Sequence, residues 1–174
     1  MGGIRTGDQH PCSGEIMTLV GIMAAVLLGV MTMSDAMATA SDTSLCKSGE
    51  TPLFSCPIGH KIVSVCSDGT KATYYFGTSD RIELSSQALS IADHMFSGGG
   101  EAQISVSHAA YGYIVYHKTT RTSFSADGHN DSDFTSGVVV QKNGETVSTK
   151  QCGSDATISS DAHRVIQPGP FIEH

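Results

Sequence analysis

The sequence predicts an all-β fold, a small antiparallel β-sandwich or barrel with about eight short strands, at most one short helix, and disulfide bracing. Three observations predict it. Apolar and polar residues alternate through most of the chain after residue 41, which is the period of a strand with one buried face. Turn residues separate these runs at regular intervals. Four cysteines in that part of the chain follow a leader typical of exported proteins.

The alternating runs give the predicted strands in chain order. The first lies in the run that starts at Leu53 and ends at a Pro/Gly turn. Later strands are predicted at residues 61–66, 72–76, 81–85, 102–108, 111–117, 137–141 and 146–151. Asp68-Gly69 and Asn143-Gly144 are expected to form hairpin turns, and Asn-Gly between alternating strands is the strongest local hairpin signal.

Three segments depart from this alternation. Residues 87–96 have apolar side chains at helical spacing before three glycines, which predicts the one short helix. Residues 119–136 are rich in Ser, Asp, Asn and Gly and are predicted to form a polar loop. Residues 153–174 contain two prolines and are predicted to be an irregular, partly packed tail.

The leader, residues 1–40, is predicted to be a signal peptide region. Its apolar run, residues 17–30, falls short of the roughly 20 residues that a spanning helix needs, so a membrane anchor is the weaker alternative. Small residues place the cleavage site after Ala38 or Ala40. No Lys or Arg directly flanks the apolar run, and either a true start at Met17 or an unusually long leading region would explain that.

A single β domain, residues 41–152, is therefore expected to be periplasmic or secreted, without stable membrane insertion after cleavage. Its four cysteines form an even set, which predicts two disulfides from Cys46, Cys56, Cys66 and Cys152. Three pairings are possible. We favour Cys56 with Cys152 and Cys46 with Cys66, because the long loop to Cys152 constrains the unfolded chain most. Their spacing matches C-x2-C zinc sites poorly.

Charge narrows the classes of partner. From residue 41 onward, nine Lys and Arg stand against fourteen Asp and Glu, a net charge of −5. Nucleic acid and anionic membrane surfaces reward a basic face, so neither is an expected partner. An acidic surface suits a basic protein, although a small negative charge can also serve solubility alone.

No catalytic residue, cofactor or metal is predicted. The histidines do not form an H-x-x-x-H or H-E-x-x-H pattern, and no Gly-x-Ser-x-Gly elbow occurs. His108 and His117 fall on neighbouring predicted strands, which makes them the pair to test for a shared metal. Thiol catalysis is disfavoured, because an even set of exported cysteines is expected to be oxidised.

The polar loop contains the predicted partner-binding residues Asp127, Asp131 and Asp133. Read as a calcium loop from Asp127, this cluster has Ser132 in place of the turn glycine and Val138 in place of the bidentate Glu, so it fails as an EF-hand. Long polar loops on rigid β scaffolds often bind partners. Several carboxylates on one loop would attract Lys and Arg side chains.

Two resemblances add to this interpretation. The segments 51–66, 111–116 and 136–152 resemble those of uncharacterised small exported β proteins of proteobacteria. A strand with an aromatic-x-Cys pattern, a β meander and a last hairpin that ends on a C-terminal cysteine resemble the architecture of periplasmic inhibitors of c-type lysozyme. The Ser-Gly-x-x-Tyr loop of that family is missing, since Ser136-Gly137 is followed by three valines. The resemblance therefore implies architecture alone.

These observations favour an exported, non-enzymatic binding protein, with inhibition of a cell-wall hydrolase, or immunity against one, as the role to test first. A structural module associated with the envelope is one alternative, and a hydrolase is the other. Carboxylates without a partnered histidine in the loop favour binding, whereas two histidines sharing a metal would favour the hydrolase.

Overall fold

The computed structural model describes residues 44–122, 128 and 132–174, and the predicted signal peptide lies outside them. The described part is mostly strand, with one helix of four residues. The elements are β1 (Thr51–Ile58), β2 (Lys61–Ser67), β3 (Ala72–Thr78), β4 (Arg81–Ser86), β5 (Leu89–Phe96), β6 (Gly99–His108), β7 (Tyr111–Arg121), β8 (Ser132–Lys142), β9 (Glu145–Gln151) and α1 (Ala162–Val165).

The strands form two antiparallel sheets, each a simple meander. The smaller sheet has the order β1-β2-β3-β4 and the larger sheet has the order β5-β6-β7-β8-β9. Neither sheet closes on itself, so of the two predicted architectures the β-sandwich is confirmed. The described residues contain nine strands, one more than expected, because the segment predicted to be a helix is a strand.

Alternation of side chains places the core between the two sheets. Val63, Val65 and Tyr74 of the smaller sheet meet Ile104 and other apolar residues of the larger sheet, all buried in one cluster. The polar residues between them face away from that core, as the period of two requires. Asn143 and Gly144 join β8 to β9 with φ of 52° and 86°, which confirms the hairpin turn that Asn-Gly predicts.

Both favoured disulfides are present. Cys46 pairs with Cys66 and Cys56 pairs with Cys152, with Cα–Cα distances of 5.4 and 5.3 Å. The second bond joins β1 of one sheet to the residue that follows β9 of the other. Two such bonds fit a protein of an oxidising compartment, extracellular or periplasmic. Within the described residues, no helix is long and apolar enough to cross a membrane.

The predicted helix at residues 87–96 is wrong. This run forms β5, in which Leu89 and Ile91 face Val106 and Ile104 across the ladder with β6. Its apolar residues fit the spacing of a helix as well as the alternation of a strand. The run is a strand because this conformation buries Ile91 in the core. The glycines that follow make the turn into β6, with Gly98 at φ 94°, instead of ending a helix.

The last 22 residues are packed against the sandwich. Ala156, Ala162 and Ile166 are buried in the main core, and the Ser159 N–H donates to the Leu53 carbonyl oxygen at 2.8 Å. Near Pro168 the tail runs parallel to β5, where two backbone hydrogen bonds connect it to Ile91. The tail therefore covers the β5 edge of the larger sheet.

Candidate binding cleft

A cleft of about 710 Å³ lies at the end of the larger sheet where β5 and β6 are joined. Its described lining belongs to β5–β8 and to the β5–β6 turn. These strands are long: β7 and β8 have 11 residues each, whereas those of the smaller sheet have six to eight. The core side of the larger sheet therefore extends beyond the part that the smaller sheet covers, and this extension lines the cleft.

The floor of the cleft belongs to a cross-strand row of four residues. Met95, Gly100, Thr119 and Phe134 stand opposite one another on β5, β6, β7 and β8. The first three line the cleft, whereas Phe134 lines a smaller adjoining hollow that shares His117 with it. Met95 is 78% exposed and Phe134 is 52% exposed, although both stand on the core side of the sheet. A Cβ at Gly100 would come within 2.7 Å of the Met95 sulfur, so the glycine makes room for the methionine. Two large apolar side chains thus flank a shallow centre.

His117 stands in the next row towards the core, opposite Ala102 and Ser136. Its ring is parallel to that of Phe134, with an interplanar angle of 7° and ring centroids 6.3 Å apart. His117 Nε2 is buried and has no hydrogen-bond partner. Burial lowers the pKa of the imidazole below its ordinary value of 6.5, so the ring is neutral at pH 7.

Carboxylates outnumber cations around the cleft. Asp93 lines it with a side chain that is 51% exposed, and His163 Nε2 lies 3.4 Å from its Oδ2. Asp155 lines the smaller hollow that shares His117. Asp133, between Ser132 and Phe134, is exposed and alternates to the other face of β8. Arg121 is the exposed cation in the described lining. The described rim therefore favours a basic ligand.

The opposite face of the sheet, behind this floor, is fixed by the end of the tail. The buried Gln103 side chain accepts from the Ile172 N–H at 3.1 Å and donates to the Ile172 carbonyl at 3.0 Å. His174 Nε2 lies 2.9 Å from Glu101 Oε1, and both side chains are largely buried. Desolvation, with the nearby Glu101 carboxylate, raises the pKa of Tyr116. These contacts attach the end of the tail to β6 and β7 behind the cleft.

The predicted site residues have different outcomes. Asp133 lies in β8 opposite Thr120, so the polar loop is shorter than residues 119–136: β7 continues to Arg121 and β8 begins at Ser132. Asp127 and Asp131 lie outside the described residues, and their role stays a prediction.

The structure does not bring together His108 and His117, the pair to test for a shared metal. His108 stands opposite Tyr111, whereas His117 stands opposite Ala102, six positions away along β6. At about 3.4 Å per residue this separates them by roughly 20 Å. Among the described residues, no group of three or more His, Cys, Asp or Glu side chains could hold a metal ion.

Sequence reasoning missed Met95, Phe134 and His117 as residues of the cleft and its adjoining hollow. The alternation of side chains along a strand could have identified the last two, since it puts His117 on the same face as the buried Val115 and Phe134 on the same face as the buried Val138. Met95 was hidden by the helical interpretation of its segment. Comparisons with protein-family models, with curated proteins and with solved structures gave no match. The geometry of the cleft therefore carries the functional argument.

Proposed function

We propose that the protein is an exported, non-enzymatic binding protein whose cleft takes a basic protein, and that a cell-wall hydrolase is the class of target to test first. In this role it acts as an inhibitor or immunity protein that covers a cationic surface of the hydrolase. The predicted partner-binding residues Asp127, Asp131 and Asp133 are proposed to add negative charge that attracts the same partner.

The observation that supports this proposal most is that Met95 of the cleft and Phe134 of the adjoining hollow are both exposed on the core side of the larger sheet, with the carboxylates of Asp93 and Asp155 in the same two linings. Protein interfaces combine an apolar centre, enriched in aromatic residues and Met, with a polar rim. Exposed apolar residues that cluster at one site have more meaning than scattered ones.

The two parts of the cleft have separate energetic roles. Burial of Phe134 in a partner's pocket is expected to supply affinity, with a loss of roughly 1–3 kcal/mol on truncation if it is an anchor. Rim carboxylates are expected to speed association with a basic partner, an effect that weakens as salt screens the charges. At high ionic strength the association rate should therefore fall, whereas the dissociation rate should stay nearly as low as it is at low ionic strength.

The test measures association and dissociation rates against purified c-type lysozyme and other basic cell-wall hydrolases, at low and high ionic strength. Phe134→Ala removes the aromatic anchor, and Val147→Ala is its control, because Val147 is 56% exposed on β9. Asp93→Asn with Asp155→Asn weakens the rim, and Asp80→Asn is the control in the β3–β4 turn. The Asp127, Asp131 and Asp133 triple change to Asn tests the predicted partner-binding residues by themselves.

A hydrolase bound by the wild type should dissociate at least about fivefold faster from Phe134→Ala. It should associate more slowly with the rim variant, and the two controls should match the wild type. Equal binding of every variant would place the contact elsewhere and refute the cleft. Should no basic hydrolase bind while the purified protein cleaves an ester, amide or glycan, the non-enzymatic proposal fails, and loss of that activity in His117→Gln would locate the chemistry.

A further inference from the structure

A second cavity, of about 330 Å³, opens between the two sheets at the other end of the sandwich. Its floor consists of the buried residues Val63, Tyr74 and Val138. Its walls are half-buried apolar side chains from four strands: Ile58, Phe76, Tyr113 and Val140. Small-molecule sites have this form, a concave apolar space of about 300–1,000 Å³ with few polar groups.

The mouth of this cavity is positively charged on a chain that is negative overall. Lys150 lines it as an exposed residue of β9, and Ser148 beside it offers a hydroxyl. Lys61 also lines the mouth and, with Arg81, contacts the Glu83 carboxylate. Lys150, Lys61 and Arg81 therefore give three positive charges at this rim against the single negative charge of Glu83, an excess of two.

A row of aromatic rings continues from the floor to the surface. Tyr74 stacks on Tyr113 with ring centroids 5.7 Å apart, and Tyr113 stacks on Tyr111 at 6.5 Å. Lys142 Nζ lies 5.7 Å from the Tyr111 ring centroid and adds a further cation beside this wall, with Glu145 opposite Lys142 in the ladder. The polar groups near the opening thus remain net positive.

We propose that this cavity binds a single-chain fatty carboxylate of medium length, with its chain against the apolar walls and its carboxylate beside Lys150 and Lys61. Apolar walls select a hydrocarbon chain, since each buried methylene contributes roughly 0.8 kcal/mol. The lysines select a negative head over a neutral or positive one. The site is at the opposite end from the cleft and does not depend on its function.

The volume limits the length of the chain. An apolar cavity of about 150 Å³ holds one benzene, which has six carbon atoms. By that ratio, about 330 Å³ holds roughly 13 non-hydrogen atoms, the size of a carboxylate of about ten carbons. A two-chain lipid is too large, so the proposal is confined to monoacyl ligands.

The experiment titrates the purified protein with decanoate by calorimetry, below the concentration at which decanoate forms micelles. Near-UV circular dichroism gives a second readout, because the chain has no Trp and three of its five Tyr lie along this cavity. Butyrate tests the need for the chain. Decyltrimethylammonium has the same chain with a positive head and tests the need for the anion.

Two variants locate the site. Lys150→Glu reverses a charge at the mouth, and Lys71→Glu is its control, an exposed lysine at the opposite end of β2. Val140→Phe fills the cavity, and its far-UV spectrum and unfolding transition show whether the fold is kept.

Decanoate is expected to bind at one site and to change the tyrosine signal. Lys150→Glu should weaken it at least about fivefold, a factor within reach of one surface charge pair reversed in sign. Lys71→Glu should bind as the wild type does, and a folded Val140→Phe should not bind. Absence of decanoate binding, or binding unchanged in both cavity variants, overturns the proposal. Equal affinity for decyltrimethylammonium overturns the role of the lysines.

Discussion

Removing each disulfide separately measures what its loop closure contributes to stability. The cysteines are separated by 96 residues in Cys56–Cys152 and by 20 in Cys46–Cys66. In the chain-entropy model these loops correspond to about 4.7 and about 3.3 kcal/mol at 25 °C. The two bonds are also matched in burial, because each joins one fully buried cysteine to one half-buried cysteine. Replacing each pair by Ala should therefore cost similar packing energy and differ by about 1.4 kcal/mol from loop length alone.

The assay is urea unfolding of both double-Ala variants and the wild type without reductant, followed by far-UV circular dichroism. The variant without Cys56–Cys152 should have the lower free energy of unfolding. Thiol labelling of the unfolded wild type should detect no reactive cysteine among the four. Equal losses, or a larger loss for the Cys46–Cys66 variant, would show that local packing rather than loop closure determines the contribution of each bond.

Three further perturbations test features of the sandwich. Burial lowers the pKa of His117 below 6.5, so the unfolded chain protonates this imidazole more readily than the folded chain does, and the free energy of unfolding should fall as pH drops below 6.5. His117→Asn should make the free energy of unfolding less dependent on pH in this range. A pKa of His117 at or above 6.5, measured by NMR, would contradict the argument. Hydrogen bonds in the β2–β3 turn lower the pKa of Asp68 to about 2, so the stabilisation by its carboxylate should be present above pH 3.8 and be lost as pH falls towards 2. Asp68→Asn should remove this part of the pH dependence from acid unfolding curves. Gly137→Ala would push a Cβ into the Lys150 carbonyl and should cost about 1–3 kcal/mol in urea unfolding, whereas Gly153→Ala, with its nearest neighbour at 3.5 Å, should cost little.

Most strands were predictable because their information is local. The run that becomes β2 alternates, ends at a turn signal and pairs with the next strand along the chain, so nothing distant has to be known. The same holds for the hairpin at Asn143-Gly144. The disulfide pairing was also accessible, since chain entropy favours the long closure and the sandwich brings β1 next to the end of β9.

Residues 87–96 show where local information fails. Their apolar side chains satisfy a helical face as well as one face of a strand, and neither pattern alone decides. The contacts that decide are made by Leu89 and Ile91 with Val106 and Ile104, residues 13 to 17 positions away. Three glycines fit the end of a helix and a tight strand turn equally well.

The cleft depends on a comparison between sheets that no single segment contains. The longest strands of the larger sheet have 11 residues and those of the smaller sheet average about seven, a difference of roughly 14 Å at 3.4 Å per residue. Parity alone assigns Phe134 to the buried face, with Val138 and Val140. It becomes exposed because the opposing sheet ends before reaching it. A residue whose pattern predicts burial and whose position lies beyond the facing sheet is therefore the first residue to test for binding in this fold.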